Sequence, residues 1–484
     1  MASINHQSAF SDRLDLNIKS IQSIMGESSD LIVREITVMQ QIRLALIFLD
    51  GMVEKHLVQD SLISAILDRV YDEMKPVTVH YLKESIIASD EVQLTASREE
   101  AMDQLLSGSV LVLLDHSREA LAVSLPGWED RAITESKAQP VVRGPQQSFT
   151  ESLHTNTTLV RRRVKDVRVR VQTIPVGSMT KTDITIMYVQ GIAGDQLIRQ
   201  LTERLRNSQL EKVLEGEYIE EWLLKDKPRT IFPLLYNTDR PDVIAAGILD
   251  GKAAIFIDGS PFVLLAPSLF ADFMQSAEDY YESYIYSSLI RMLRYLSLFI
   301  CMFAPAIYIA LTTYHQDMLP TQLLLSLAAQ REGVPFPAFI EAVLMEVTFE
   351  ILREAGIRMP RTIGQAVSIV GTIVIGQAAV EASIVSAAMV IVLAITAISN
   401  FVIPSYSMSI AIRILRFIFM GLAAAFGAFG LTIGIIVLVI HLCGLQSFGV
   451  PYMRPYAPYK ADAQKDALVR LPYRLNTKRS RQRS

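Results

Sequence analysis

Four long runs without a charged residue constrain this chain more than any other feature: Tyr295–Tyr314, Thr362–Val380, Ala382–Ile412 and Phe417–Ile440. Each is long enough to cross about 30 Å of hydrocarbon as a helix rising about 1.5 Å per residue. A core helix of a soluble protein rarely stays uncharged for that length, so four in succession predict a polytopic membrane domain. Charges are spread through residues 1–294, which predicts a large water-soluble N-terminal half. The opening MASINHQSAFSDRLDLNIKS has neither the basic start nor the apolar stretch of an export signal. The N-terminal half is therefore expected in the cytoplasm, and Arg291 and Arg294, just ahead of the first run, favour that side. A net charge of −4 selects no partner. The two cysteines, Cys301 and Cys443, lie within or at the end of apolar runs and read as packing residues.

The soluble half carries a repeated pattern. LALIFLDGMVEKHLVQDSLISAIL (44–67) and DITIMYVQGIAGDQLIRQLTERL (183–205) each read as strand, glycine turn (Gly51, Gly191) and amphipathic helix. SGSVLVLLDHSREALAVSLP (107–126) and DGKAAIFIDGSPFVLLAPSL (250–269) each read as strand, Asp-led turn and strand. The same order at similar spacing predicts two related α/β subdomains, followed by an all-α membrane domain of four to five helices. The expected divisions are 1–137, 138–290 (with its linker), 291–445 for the membrane domain and 446–484 for a basic tail.

Several function classes lack a motif. There is no GxxxxGK[ST] or GxGxxG sequence for a nucleotide and no GxSxG or HExxH for hydrolysis. No Cys/His cluster supports zinc, and no enzyme or cofactor is expected. Arg161-Arg162-Arg163 comes without aromatic stacking residues, so it reads as a solvated face, a lipid contact or an ion-pair partner rather than a nucleic-acid site.

The chemistry concentrates in the membrane half. Pro335 and Pro337 start a helix at about Phe336 that carries Glu341, Glu346 and Glu350. Carboxylates at lipid depth must face protein, water or the interface. They either line a cation route or pair with Arg353 or Arg331 on an interfacial helix. The next helix, 362–383, has an aliphatic half with Glu381 at its far end, and on the other side it gathers Gln365, Ser368, Thr372 and Ser383, completed by Ile369, Ile373, Gly376, Gln377 and Val380. That side is either a pore wall with an apolar gate at Ile369/Ile373 or an ordinary close-packed helix face. The positive-inside rule leaves two topologies open: five crossings with the tail outside, or four with the tail inside.

VVRGPQQSFTESLHTNTTLVRRR (141–163), NTDRPDVIAAGILDGKAAIFIDGSPFVLLAP (237–267), EDYYESYIYSSLIRMLRY (278–295), HQDMLPTQLLLSLAAQREGVPFPAFIEAVLMEVTFEILREAG (315–356), GQAVSIVGTIVIGQAAVEASIVS (364–386) and SFGVPYMRPYAP (447–458) resemble the A subunit of GerA-type spore germination receptors. The resemblance runs from about residue 30 almost to the end. It implies an integral protein of the inner membrane of the bacterial spore. It further implies a permease-like B subunit and a lipoprotein C subunit as partners, and a homo-oligomer, a pentamer, acting as a nutrient-gated channel for monovalent cations. On that resemblance, the 362–383 helix becomes the pore wall. The alternatives from other classes are a non-conducting scaffold and a carrier working by alternating access.

Overall fold

The computed structural model describes residues 9–38, 42–67, 77–85, 91–127, 135–136, 138–225, 229–359, 376–459, 464 and 466–472. These form two compact units: residues 9–225 with 235–267, and residues 229–234 with 268–472.

The first unit holds two five-stranded antiparallel sheets of one design. Helix α1 (Leu14–Met25) precedes β1 (Leu31–Val38) and β2 (Ile42–Leu49), a helical stretch covers 55–67, and α2 (Val79–Ser85), β3 (Val92–Thr95), α3 (Arg98–Leu106), β4 (Ser109–Leu114) and β5 (Ala120–Ser124) follow. The second subdomain repeats the series as α4 (Leu153–Arg163), β6 (Val169–Val176), β7 (Thr182–Val189), α5 (Asp195–Arg206), α6 (Gly216–Leu224), β8 (Tyr236–Thr238), α7 (Pro241–Leu249), β9 (Ala253–Ile257) and β10 (Val263–Ala266). The sheet orders are β1-β2-β4-β5-β3 and β6-β7-β9-β10-β8, position for position the same. The apolar run of β2 is buried on both faces. Leu44, Leu46 and Phe48 pack with Leu62 and Ile66, while Ala45, Ile47 and Leu49 pack with Ile18, Ile21 and Leu105. A strand covered on both sides needs continuous rather than alternating hydrophobicity, and LALIFL supplies it.

The repeat extends to side-chain hydrogen bonds. Asp115, in the β4–β5 turn, accepts from the Leu14 amide at 3.0 Å, and Asp258, in the β9–β10 turn, accepts from the Leu153 amide at 3.3 Å. Buried Asn17 accepts from the Ser11 amide (2.8 Å) and donates to the Ser11 carbonyl (2.7 Å). Asn156 does the same with Thr150 at 2.8 and 2.6 Å. FSDRLDLN (10–17) and FTESLHTN (149–156) thus share a Phe, a hydroxyl residue, a Leu and an Asn at fixed spacing. This signal was available in the sequence beside the glycine turns. Asn156→Ala leaves two backbone groups without partners in a buried place, at a cost of about 1–3 kcal/mol. The expected result is a lower thermal midpoint for the soluble half. An unchanged midpoint would mean that the Asn bridge contributes nothing.

The second unit is helical. Its helices are α8 (Tyr284–Thr313), α9 (Thr321–Arg331), α10 (Ala338–Arg358), a short Ala379–Glu381 turn, α11 (Ala387–Val402) and a run Tyr406–Gly444. By length and composition, α8 and Tyr406–Gly444 are apolar enough to cross a membrane. Two of the expected single spans are divided. The uncharged run 382–412 breaks at residues 403–405, because Pro404 cannot continue a helix. The run 417–440 contains Gly427, whose φ of 62° and ψ of −141° are not helical. A methyl built on Gly430 would lie 2.4 Å from the Leu422 carbonyl oxygen, and one on Gly434 would lie 2.7 Å from the Phe419 ring. A straight helix would hold those residue pairs roughly 12 and 22 Å apart. Residues 406–426 (α12) and 428–444 (α13) are therefore antiparallel neighbours, closed by Gly427 and packed through Gly430 and Gly434, as small residues allow.

Candidate functional site: a buried charge ladder

Helix α10 begins after Pro337, two residues later than the expected start. Along it, Glu346, Glu350 and Arg353 are spaced by four and three residues, so they share one face. Arg413 and Arg416, three apart on α12, meet that face. Arg416 Nη1 donates to Glu346 Oε2 at 2.6 Å, its Nε donates to the Cys301 carbonyl at 2.8 Å, and its Nη2 lies 2.9 Å from Cys301 Sγ. Arg416 and Glu346 are each about 1 % exposed. Arg413 donates to Glu350 at 2.6 Å. Arg353 lies over the Phe401 ring at 5.2 Å and, with the Asn400 amide turned to present its oxygen, donates to it at 2.6 and 2.7 Å. Glu341, fully buried, accepts from the amide and hydroxyl of Ser386 at 2.6 and 2.5 Å, and Arg331 approaches it at 4.0 Å. Ser386 caps α11, so the Glu341 charge sits at the positive end of that helix dipole.

Of the two readings of the glutamates, a cation route or ion pairs on an interfacial helix, the second named Arg353 or Arg331 as partners. The structure instead pairs Glu346 and Glu350 with arginines of a helix 63 to 70 residues further on, and only Glu341 approaches Arg331. Among the described residues, each of the three carboxylates keeps one oxygen without a hydrogen-bond partner. The levels also orient α10. Glu341 reaches Tyr308 through Ser386, while Glu346 reaches Cys301 through Arg416. Helix α10 therefore runs lengthwise and antiparallel to α8 rather than lying across its end. Three glutamates face four arginines, so every carboxylate has a cation beside it, and the ladder holds α8, α10, α11 and α12 together.

Of the pore-wall candidates, Gln365, Ser368, Ile369, Thr372 and Ile373 lie outside the described residues. Among the described residues no atom lies within 4 Å of a Cβ built on Gly376, Gln377 and Glu381 are exposed, and Val380 is half-buried. Ser383 does not continue their helix. Its φ of 52° ends the turn that follows Glu381, and its hydroxyl packs on Gly333.

A second buried network lies at the start of α8. Arg291 and Arg294, the charges just ahead of the first uncharged run, are buried. Arg291 donates to Asp279 at 3.1 Å and to Asp466 at 2.9 Å, and Arg294 donates to Asp279 at 2.8 Å. Arg470 donates to the Glu282 carbonyl at 2.9 Å. Nearby, Ser447 Oγ accepts from the Ser268 amide and donates to the Leu234 carbonyl. The segment after α13 thus returns to the end of the helical unit at which α8 begins.

A family model described as Bacillus/Clostridium GerA spore germination protein matches residues 19–482. Spore germination protein KA of Bacillus subtilis is 46% identical over 473 residues, 97% of this chain and 86% of that protein. Spore germination protein GerLA of Bacillus cereus is 38% identical over 458 residues, 94% of this chain and 92% of that one. A crystal structure of the N-terminal domain of the A subunit of the Bacillus megaterium spore germinant receptor GerK3 matches at 30% identity and a TM-score of 0.41, covering 54% of this chain and 98% of that one. The chain belongs to the GerA spore germination protein family, among the A subunits of germinant receptors.

Proposed function

We propose that the chain is the A subunit of a nutrient-responsive receptor in the inner membrane of the spore, and that it forms an oligomeric channel releasing monovalent cations. Its N-terminal half is cytoplasmic, and a permease-like B subunit and a lipoprotein C subunit complete the receptor. The observation that carries the channel reading is a division of labour in the helical unit. The acidic groups Glu341, Glu346 and Glu350 are committed to the compensated ladder, which leaves no uncompensated carboxylate wall there for a cation. Gly376, by contrast, has no atom of the described residues within 4 Å of a built Cβ, and Gln377 is exposed. They belong to the stretch whose polar face, Gln365, Ser368, Thr372, Gly376 and Gln377, is suited to wet a pore, with Ile369 and Ile373 as a dewetting constriction. Nutrient held by the partner opens the assembly only if the open form binds it more tightly than the closed one.

The test is potassium efflux and membrane potential in vegetative cells expressing the chain, wild type against Ile373→Ser. Depolarisation by the substituted chain, with the wild type quiet, is the expected result. Silence of both, with each assembled in the membrane and the B and C subunits co-expressed, would favour the scaffold. Saturable uptake of a solute coupled to an ion would favour the carrier.

A further inference from the structure

The two subdomains of the soluble unit meet through a junction that is not symmetric. The β1–β2 end of the first packs on the outer face of α4 in the second. Asp30 pairs with the 2 %-exposed Arg161 at 2.8 Å, Asp50 lies 3.5 Å from His154 Nδ1, and a methyl built on Gly51 would strike the Thr158 hydroxyl at 2.1 Å. Ser29 donates from its amide to the Val171 carbonyl at 2.9 Å, which covers part of the outer edge of β6.

Because the subdomains are repeats, every participant has a counterpart. Asp30, Asp50 and Gly51 correspond to Arg168, Gln190 and Gly191, as the matching bonds Asp50 N–H to Asp30 carbonyl and Gln190 N–H to Arg168 carbonyl establish. His154, Thr158 and Arg161 correspond to Asp15, Lys19 and Gln22, counted from Asn156 and Asn17. None of these counterparts meets another in the way its equivalent does. Gln190, Gly191 and Lys19 are exposed, nothing lies within 4 Å of a built Gly191 Cβ, and β1 pairs with β2 alone among the described strands. One repeat junction is filled within the chain, whereas on the counterpart surfaces Gln190, Gly191 and Lys19 stay exposed, with Gln190 Oε1 accepting from Arg170 Nε at 2.9 Å.

We infer that the Gln190–Gly191 turn of one copy docks on the outer face of α1 in a second copy, repeating between chains the junction found within the chain. A surface that pairs two different patches is heterologous, and such contacts close into a ring when the rotation permits. The polar pairs brought together are compatible. Gln190 would face Asp15 where Asp50 faces His154, and Gln22 would face Arg168 where Arg161 faces Asp30. Each of these two pairs joins an amide to a charge and would add to the ion pair that charge already makes, Asp15 with Arg43 at 2.8 Å and Arg168 with Asp166 at 2.7 Å. The open edge of β1 would receive the 166–168 segment as β6 receives Ser28–Ser29.

This inference rests on the oligomeric reading above and names its surface. The experiment uses the full-length chain in membranes, with exposed Cys443 replaced by serine, in two differently tagged versions carrying Lys19→Cys and Gln190→Cys. Mild oxidation of co-expressed chains should give a disulfide-linked dimer with both tags, absent from either version alone. Replacing Gln190→Cys by Met179→Cys, an exposed position at the far end of the β6–β7 hairpin, should abolish it. An oligomer of the full-length chain on native gels without the mixed-tag dimer overturns this surface and leaves the oligomeric reading standing. A chain that is monomeric at every concentration overturns both.

Discussion

Arg416→Ala is expected to lower the stability of the helical unit by about 3–5 kcal/mol, because it leaves the Glu346 carboxylate buried without its cation. Glu346 is about 1 % exposed, and among the described residues Arg416 is its ion-pair partner while its other oxygen makes no hydrogen bond. The Cys301 carbonyl and thiol lose their donor in the same step. Thermal unfolding of the detergent-solubilised chain should show a midpoint lower by roughly 10 °C for a unit of this size, with reduced yield from the membrane. Removing both charges at once, Glu346→Met with Arg416→Met, should recover most of the loss, since a buried pair is often replaceable by apolar residues of similar volume. The exposed Arg358–Glu354 pair supplies the contrast. Arg358→Ala should cost no more than about 0.5 kcal/mol. A tolerant response to Arg416→Ala would mean that the ladder does not hold the bundle.

Gly427→Ala should have the second large effect. The residue combines φ 62° with ψ −141°, a region closed to side chains, and a methyl there would lie 2.8 Å from His315 and 3.0 Å from Tyr314. Backbone strain alone costs about 1–3 kcal/mol, and the contact with the end of α8 adds to it. Tyr314 also donates to the Ala424 carbonyl at 2.8 Å, so displacement of the turn breaks a cap on α12. Gly421→Ala, six residues earlier on the same helix, meets open space and should gain up to about 1 kcal/mol from helix propensity. Opposite shifts of the two midpoints would support a hairpin closed at Gly427. Equal small shifts would mean that α12 and α13 do not turn there.

Hydropathy and local periodicity made much of the architecture legible. Continuous apolar strands ending in Gly51 and Gly191, and Asp-led turns at Asp115 and Asp258, are short-range patterns, and the structure turns them into two sheets of identical order. The Asn17 and Asn156 bridges were equally local but hide in a pattern with only four matching types. The break at Pro404 follows from proline's missing donor. Gly427 differs, because glycines recur through apolar helices and nothing local marks the one that leaves helical φ/ψ.

By itself, the sequence determined the division into a charged half and an apolar half, the duplication, and the family. Each of these is written in residue type at short range or in long alignable blocks. Only the tertiary structure decided which arginine answers which glutamate, that Arg291 and Arg294 are buried against Asp279 and Asp466, and that Asp30 and Asp50 meet α4 while their counterparts Arg168 and Gln190 do not meet α1 in that way. Those choices join residues tens to hundreds of positions apart. They depend on which helix and sheet faces come together, and charge pairing in a low-dielectric interior then selects the partner that geometry brings within about 3 Å.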